Sequence, residues 1–481
     1  MNRPIGHLFI VALLMFAVLV GFTSWWTIVR ADELDKSPLN SRALVRSLKI
    51  RRGTIYAADG SVIARSVRGT GGLYRRTYPQ GALFGHPIGY SFVGVTQSRF
   101  EQAQNGPLMG ERSGIETFWD ELLGRTPNGD DIRTTLVPSA QRIATQQLAA
   151  AGGQGGAAVA LDPRDGSVLA MASVPGYDAN AVRDPKVYSK LANDTKRRPL
   201  INRAVQFGYA PGSTFKVVTL AAGLDSGRFT VNSTVNGDNG QVFSGKPLAN
   251  DFNQSFGQVD LTTALAKSVN TAFANIGVAV GPRLMREYME RFGFDAKPQL
   301  DYSPDMSVSA IVPNPPGHAV PATSRYVDLG RVAMGQGGLE ATPLQMAEVA
   351  AAIANGGTLM RPHITDRVVG SDGRTISRAR AVRQSEVVSS RTAGEVRDMM
   401  VAVVSGGTGV RAQIPGVEVA GKTGTAETAI SQSINNVWFI GFAPADRPRV
   451  AVAVTIQGVP GFGGDSAAPI ARSIMEDLLK R

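Results

Sequence analysis

Residues 8 to 29, LFIVALLMFAVLVGFTSWWTIV, carry no charged side chain. As a helix rising ~1.5 Å per residue the run reaches ~33 Å, enough to cross the hydrocarbon core of a bilayer. It is longer than the apolar core of a secretory signal, and no clean small-x-small cleavage site follows it. The expectation is therefore an uncleaved membrane anchor over residues 1–30. Trp25 and Trp26 suit the headgroup layer at its far end, and Arg3 with the free amine predicts a cytoplasmic N-terminus. Arg30 on the far side is offset at once by Asp32, Glu33 and Asp35. A single-pass protein of the cell membrane results, with its remaining mass outside the cytoplasm. ATP is absent there, which argues against a nucleotide-dependent enzyme.

The chain has no cysteine. That excludes disulfides, thiolate metal sites, a cysteine nucleophile and a lipoprotein anchor. His7, His86, His318 and His363 form no H-x-x-x-H pair, so no metal and no cofactor is expected. The net charge of +11 predicts a surface that tolerates anions. It comes without a lysine-rich block or a nucleic-acid motif, and no nucleic-acid partner is expected.

Two hairpins punctuate the N-terminal half: RRGTIYAADGSVIARS, turning at Asp59-Gly60, and AAVALDPRDGSVLAMAS, turning at Asp165-Gly166. Just before the second, LAAAGGQGGAA (148–158) reads as a domain boundary. The expected division is an anchor over 1–30, a small mostly-β pedestal of dimerisation type over 31–155, and a larger domain over 156–481. In the larger one, TPLQMAEVAAAIANGG (342–357) has helical spacing and an Asn-Gly-Gly stop. VEVAGKTGTAE (417–427), NNVWFIGFAP (435–444) and RVAVAVTIQG (449–458) read as neighbouring antiparallel strands. A last helix over 466–480 aligns Ile470, Ile474 and Leu478 in one stripe to pack on them. The fold class is α+β, an antiparallel sheet flanked by helices. The arginine-rich stretch 366–392 reads as a solvated excursion.

The chemistry lies in GYAPGSTFKVVT (208–219). Ser213 and Lys216 stand three apart behind Pro211-Gly212, which places them at a helix start, one turn from each other on one face. A serine hydroxyl needs a base, and here the candidate is a lysine. One S-x-x-K per chain of this size is expected by accident. Two further elements change that: Ser268 and Asn270 in LAKSVNTAF, and Lys422, Thr423, Gly424 and Thr425 in GKTGTAE. S-x-x-K, S-x-N and K-T-G in this order mark penicillin-binding proteins and class A β-lactamases. A second S-x-N, Ser433-Ile434-Asn435, follows K-T-G and so lies in the wrong order.

From residue 40 onward the chain resembles a class B penicillin-binding protein of the short, penicillin-binding protein A type. YPQGALFGHPIGY, GERSGIE, NRAVQFGYAPGSTFK, MGQGGLEATPLQMA and GTGVRAQIPGVEVAGKTGTAE carry the likeness. One departure is Ala57-Ala58, where that family's first hairpin usually has Asp-Arg. The resemblance implies a serine β-lactamase-like D,D-transpeptidase domain that crosslinks peptidoglycan stem peptides through an acyl-enzyme and binds β-lactams covalently. It implies Ser213 as nucleophile, Lys216 as base, Ser268 as proton relay and Asn270 as the group that orients Lys216 and holds substrate. Ser213 and Thr425 N–H groups would form the oxyanion hole, with Lys422, Thr423, Gly424 and Thr425 on the substrate carboxylate. A lysine base needs a pKa far below its usual ~10.4. Lys422 at ~4 Å and an effective dielectric near 20 would supply ~4 kcal/mol of repulsion, or up to ~3 pK units, and burial adds to it. The resemblance also implies a SEDS-type membrane glycosyltransferase as partner, since 31–155 is small for a glycosyltransferase and lacks an E-D-x-x-F signature.

Three alternatives share these residues: a β-lactam-hydrolysing or β-lactam-sensing protein of the same fold, a D,D-carboxypeptidase that passes the acyl group to water, and a non-catalytic scaffold for wall synthesis.

Overall fold

The computed structural model describes residues 3–26, 47–92, 96–111, 128–315, 317–429 and 434–481. Residues 27–30, most of GERSGIE and Ser433 lie outside them. The principal strands in chain order are β1 (Ile55–Tyr56), β2 (Val62–Arg68), β3 (Tyr74–Thr77), β4 (Asp131–Thr134), β5 (Gly155–Leu161), β6 (Val168–Val174), β7 (Thr365–Val369), β8 (Thr375–Arg378), β9 (Ala420–Ala429), β10 (Ile434–Ala443) and β11 (Val450–Pro460). The principal helices are α1 (Arg3–Ser24), α2 (Pro138–Ala150), α3 (Lys216–Asp225), α4 (Leu261–Ala266), α5 (Asn270–Val280), α6 (Pro343–Ala354), α7 (Ser390–Gly406) and α8 (Gly463–Leu479). The apolar run forms α1, with its side chains from Pro4 to Thr23 exposed. By length and composition this one N-terminal helix fits a membrane anchor or a signal sequence.

Five strands in the order β9-β10-β11-β5-β6, each antiparallel to its neighbour, form the central sheet. All three predicted C-terminal strands are in it. Alternation along β10 and β11 sends Val437, Phe439, Val452 and Val454 into the core under α2 and α8. Trp438, Ile440, Ala451 and Ala453 go to the opposite face, against α6 and its neighbours. Ile470, Ile474 and Leu478 of α8 are buried as one stripe. Helix α2 precedes the glycine run, yet its Ala140, Ala144 and Leu148 belong to the core of this sheet. The glycines themselves make the turn into β5, with Gly152 and Gly153 at φ +75°.

A second sheet, in the order β8-β7-β4-β1-β2-β3, joins segments from both ends of the chain. Its hairpin turns at Gly60 (φ +83°), where Gly60 N–H donates to Ala57 O. Ala57 is fully buried, and Ala58 N–H donates to Leu136 O at 2.9 Å, so the small Ala-Ala pair is fixed through its backbone. Strand β7 comes from the arginine-rich excursion and pairs antiparallel with β4, Val368 opposite Ile132. The arginines Arg374, Arg378, Arg380, Arg383 and Arg391 are exposed, as their charge requires, while the backbone completes the sheet. Beside this sheet Glu101 is fully buried and accepts from Arg52 Nε (2.7 Å), Arg76 Nε (2.6 Å) and Tyr78 OH (3.0 Å). Burial alone would raise its carboxyl pKa; the two guanidiniums outweigh that and hold it below the usual value.

Helix α6 is buried along nearly its whole length, and it carries Glu348 inside. Glu348 Oε1 has no hydrogen-bond partner among the described residues, and burial pushes the carboxyl pKa up to about 8. A raised acid contributes stability that is intact below its unfolded value and is lost as pH rises through the folded one. Glu348→Gln is expected to flatten the decline of Tm between pH 5 and 8, gaining up to roughly 4 kcal/mol at the upper end. Parallel Tm-versus-pH curves for the two proteins would contradict this.

Candidate active site

Ser213 lies in a single 3-10 turn, Gly212–Phe215, that runs directly into α3, so Lys216 falls at the start of that helix. Thr214 Oγ1 closes the turn on Pro211 O at 2.7 Å. The segment before it is tied down twice. Tyr209 exchanges both backbone hydrogen bonds with Ala341, and Trp438 Nε1 donates to Ala210 O at 3.0 Å. The turn is wedged against β9 and residue 335. Gly212, at φ +53°, donates its N–H to Gly335 O, and a Cβ on it would sit 2.5 Å from Thr425 O. A Cβ on Gly424 would sit 2.7 Å from Pro211 O. Both glycines are therefore required by the close approach of the nucleophile turn to the strand.

Ser268 and Asn270 occupy the junction of α4 and α5. Ser268 has φ +59°, a left-handed conformation that costs a non-glycine residue energy and recurs at functional sites. Asn270 opens α5, and its Nδ2 donates to Ala249 O (3.1 Å) and Asp251 Oδ1 (3.4 Å).

Both lysines are fully buried. Lys216 Nζ lies 2.7 Å from Ser268 O, 2.7 Å from Asn270 Oδ1 and 3.1 Å from Ser268 Oγ. Lys422 Nζ lies 3.0 Å from the same Ser268 Oγ and 2.9 Å from Thr423 O. A neutral amine has two N–H donors and one lone pair. The two short oxygens take the two hydrogens of Lys216, which leaves the lone pair for an incoming proton. Burial, then repulsion from Lys422, push the Lys216 pKa well below its usual value, while Asp251 pulls it up. Lys422 drops to about 7, again by burial and against Asp251. Burial and the repulsion of the neighbouring ammonium together favour the neutral form of Lys216. Burial outranks the lysine pair repulsion, which reverses the order of importance expected from the sequence.

Thr423 Oγ1 meets Thr408 Oγ1 at 2.6 Å, and Thr425 Oγ1 accepts from Gly463 N–H at 3.4 Å. All eight predicted positions, Ser213, Lys216, Ser268, Asn270, Lys422, Thr423, Gly424 and Thr425, gather at the edge strand β9 and the two helix starts facing it. Asp251, Thr408 and Gly335 join them without having been singled out. The Gly-Gly-Thr-Gly run at 406–409 and the glycines of MGQGG were signals of close approach; Asp251 had none.

Two family models match this chain: the penicillin binding protein transpeptidase domain over residues 156–476, and the penicillin binding protein A dimerisation domain over residues 52–132. The chain belongs to the penicillin-binding protein transpeptidases. This transpeptidase is 33% identical over 505 residues to the peptidoglycan D,D-transpeptidase PbpA of Mycolicibacterium smegmatis, covering 100% of this chain and 99% of the relative. The Mycobacterium tuberculosis PbpA matches at 33% over 509 residues with the same coverage. Among solved structures, the ceftriaxone acyl-enzyme of penicillin-binding protein A from M. tuberculosis superposes with a TM-score of 0.80 at 32% identity, covering 90% of this chain and 100% of that one. Its penicillin G acyl-enzyme gives 0.78, with 89% of this chain covered. The transpeptidase is a serine-type, penicillin-binding D,D-transpeptidase acting in peptidoglycan synthesis.

One charge at the mouth of its site sets a further expectation. Asp251 raises both lysines. Asp251→Asn is expected to shift the whole pH profile of acylation toward lower pH, because Lys216 and Lys422 both lose a stabilising negative neighbour. A profile fixed on the pH axis would remove Asp251 from the electrostatics of the site.

Proposed function

We propose that Ser213 carries the acyl group of this peptidoglycan D,D-transpeptidase, with Lys216 as its base. Ser213 Oγ attacks the carbonyl between the two terminal D-alanines of a stem peptide and passes its proton to Lys216 Nζ. The oxyanion is held by the backbone N–H groups of Ser213 and Thr425. The C–N bond then breaks, and the departing D-alanine amine takes a proton through Ser268. Asn270 orients Lys216, while Lys422, Thr423 and Thr425, kept close by Gly424, bind the terminal carboxylate. An amine from a neighbouring stem peptide attacks the acyl-enzyme and releases Ser213 with a crosslink formed. The observation that carries this reading is the pair of 2.7 Å oxygen partners on a fully buried Lys216, which fits a neutral amine with a free lone pair. A β-lactam enters the same path as a mimic of the D-alanine pair, as the acyl-enzyme complexes of the M. tuberculosis relative illustrate.

A division of the chain at about residue 155 that leaves α2 packed across it on the central sheet, insertion of α1 as a single pass with a cytoplasmic N-terminus, and a SEDS-type glycosyltransferase supplying glycan strands belong to the same proposal. The uncharged run and the two Trp at its end support the insertion. For the chemistry, the test is to incubate the protein with fluorescent penicillin, follow the label over hours and map it by peptide mass. A lasting adduct on the peptide containing Ser213 is expected. Rapid loss of label would replace transpeptidation by hydrolysis, and a label on another peptide would remove Ser213 from its role.

A further inference from the structure

Strands β2 and β3 border a cavity of about 800 Å³, far in sequence from the acylation residues. Arg52, Arg75, Arg76 and Arg183 line it, with Phe92 as an apolar wall and Glu111 as the acidic side chain among the described lining residues. Arg52 and Arg76 share the single carboxylate of Glu101, so that cluster retains one excess positive charge. Arg75 and Arg183 have no ion pair among the described residues. Arg183 sits over Phe92, its Cζ 4.7 Å from the ring centroid, and donates to Arg76 O. Burial, then the neighbouring Arg75 charge, lower the Arg183 pKa. Two unpaired guanidiniums beside a third excess charge repel one another and are relieved by an anion between them.

We infer that this cavity binds a pyrophosphate-class anion, either free in solution or as the headgroup of a membrane lipid. The reasons are charge and shape. Among the described residues, the excess of about three charges, reduced by one at Glu111, calls for a multiply charged ligand rather than a lone carboxylate. Planar guanidinium forks pair two N–H donors with two phosphate oxygens at once. Phe92 holds Arg183 in place for that pairing through the cation–π contact.

The experiment uses the full chain in lipid nanodiscs and reads Tm against inorganic pyrophosphate, for the wild type and for Arg75→Glu. In phosphatidylcholine discs the wild type is expected to gain several degrees with a saturable dependence. Arg75→Glu, which supplies its own carboxylate beside Arg183, is expected to match or exceed the wild-type Tm without ligand and to need at least tenfold more pyrophosphate for the same gain. Penicillin labelling of both proteins should be equal. Repeating the titration in discs doped with a polyprenyl diphosphate separates the sources: loss of the pyrophosphate response there assigns the site to the lipid headgroup, and an unchanged response assigns it to the free anion. Equal responses from wild type and Arg75→Glu, or no response of the wild type to pyrophosphate and to doped discs, would overturn the inference.

Discussion

Ser213→Ala is expected to abolish covalent penicillin labelling, a loss of at least ~10⁴-fold in acylation rate, while Tm moves by no more than about a degree. The loss is this large because the nucleophile is the bond-forming atom, and no neighbouring hydroxyl replaces it: Ser268 Oγ is already held between two lysine Nζ atoms. The fold is spared because Ser213 is only partly buried, and the turn around it is closed by Thr214 on Pro211 and by Gly212 on Gly335. Noncovalent binding of the β-lactam should survive, since Lys422 and Thr425 are untouched. Labelling that persists in Ser213→Ala would end the case for this serine.

Lys216→Met is expected to slow acylation by ~10³–10⁴-fold, the upper range for loss of a general base. Methionine keeps the unbranched, buried stem and removes the amine, so Ser268 O, Asn270 Oδ1 and the Phe273 ring that Nζ faces all lose that partner. The pH profile separates a catalytic from a structural effect. In the wild type acylation should fall as pH drops through the lowered pKa of Lys216, because protonation fills the lone pair. It should also fall above about 7, where Lys422 gives up the charge that receives the substrate carboxylate. The residual activity of Lys216→Met should lack the acid limb and keep the alkaline one. A variant that retains both limbs, merely scaled down, would mean that another group is the base.

The parts of the fold that were legible in the sequence share one property: their partners are close in the chain or their apolar pattern is long. Strands β9, β10 and β11 follow one another with short links, and α8 shows its stripe without reference to anything else. Strand β7 was hidden because its side chains, Arg367 among them, signal solvent, while its pairing with β4 depends on backbone groups far away in sequence. Helix α2 was hidden for the opposite reason: a glycine run that looked like a linker is the turn that folds the helix back on the sheet. At the site, motif spacing located both lysines, both serines and the hydroxyls of Thr423 and Thr425. It left out Asp251, whose influence is a matter of distance alone, and Thr408, which reaches Thr423 only because α7 ends beside β9. It also overweighted the repulsion between the lysines, since complete burial of both is a property of the assembled layers and has no local trace.

The strand borrowed from residues 365–369 has a consequence for anyone who cuts or recombines this chain. A fragment ending near residue 155 carries β4 as a bare edge, with its unpaired N–H and C=O groups open to intermolecular pairing. A chimera built by exchanging residues 31–155 with those of a relative keeps this chain's β7 but must dock it on a foreign β4. The unit that can be transplanted is therefore discontinuous: it includes the 365–378 ribbon, and an exchange that leaves the ribbon behind should yield aggregates rather than a folded hybrid.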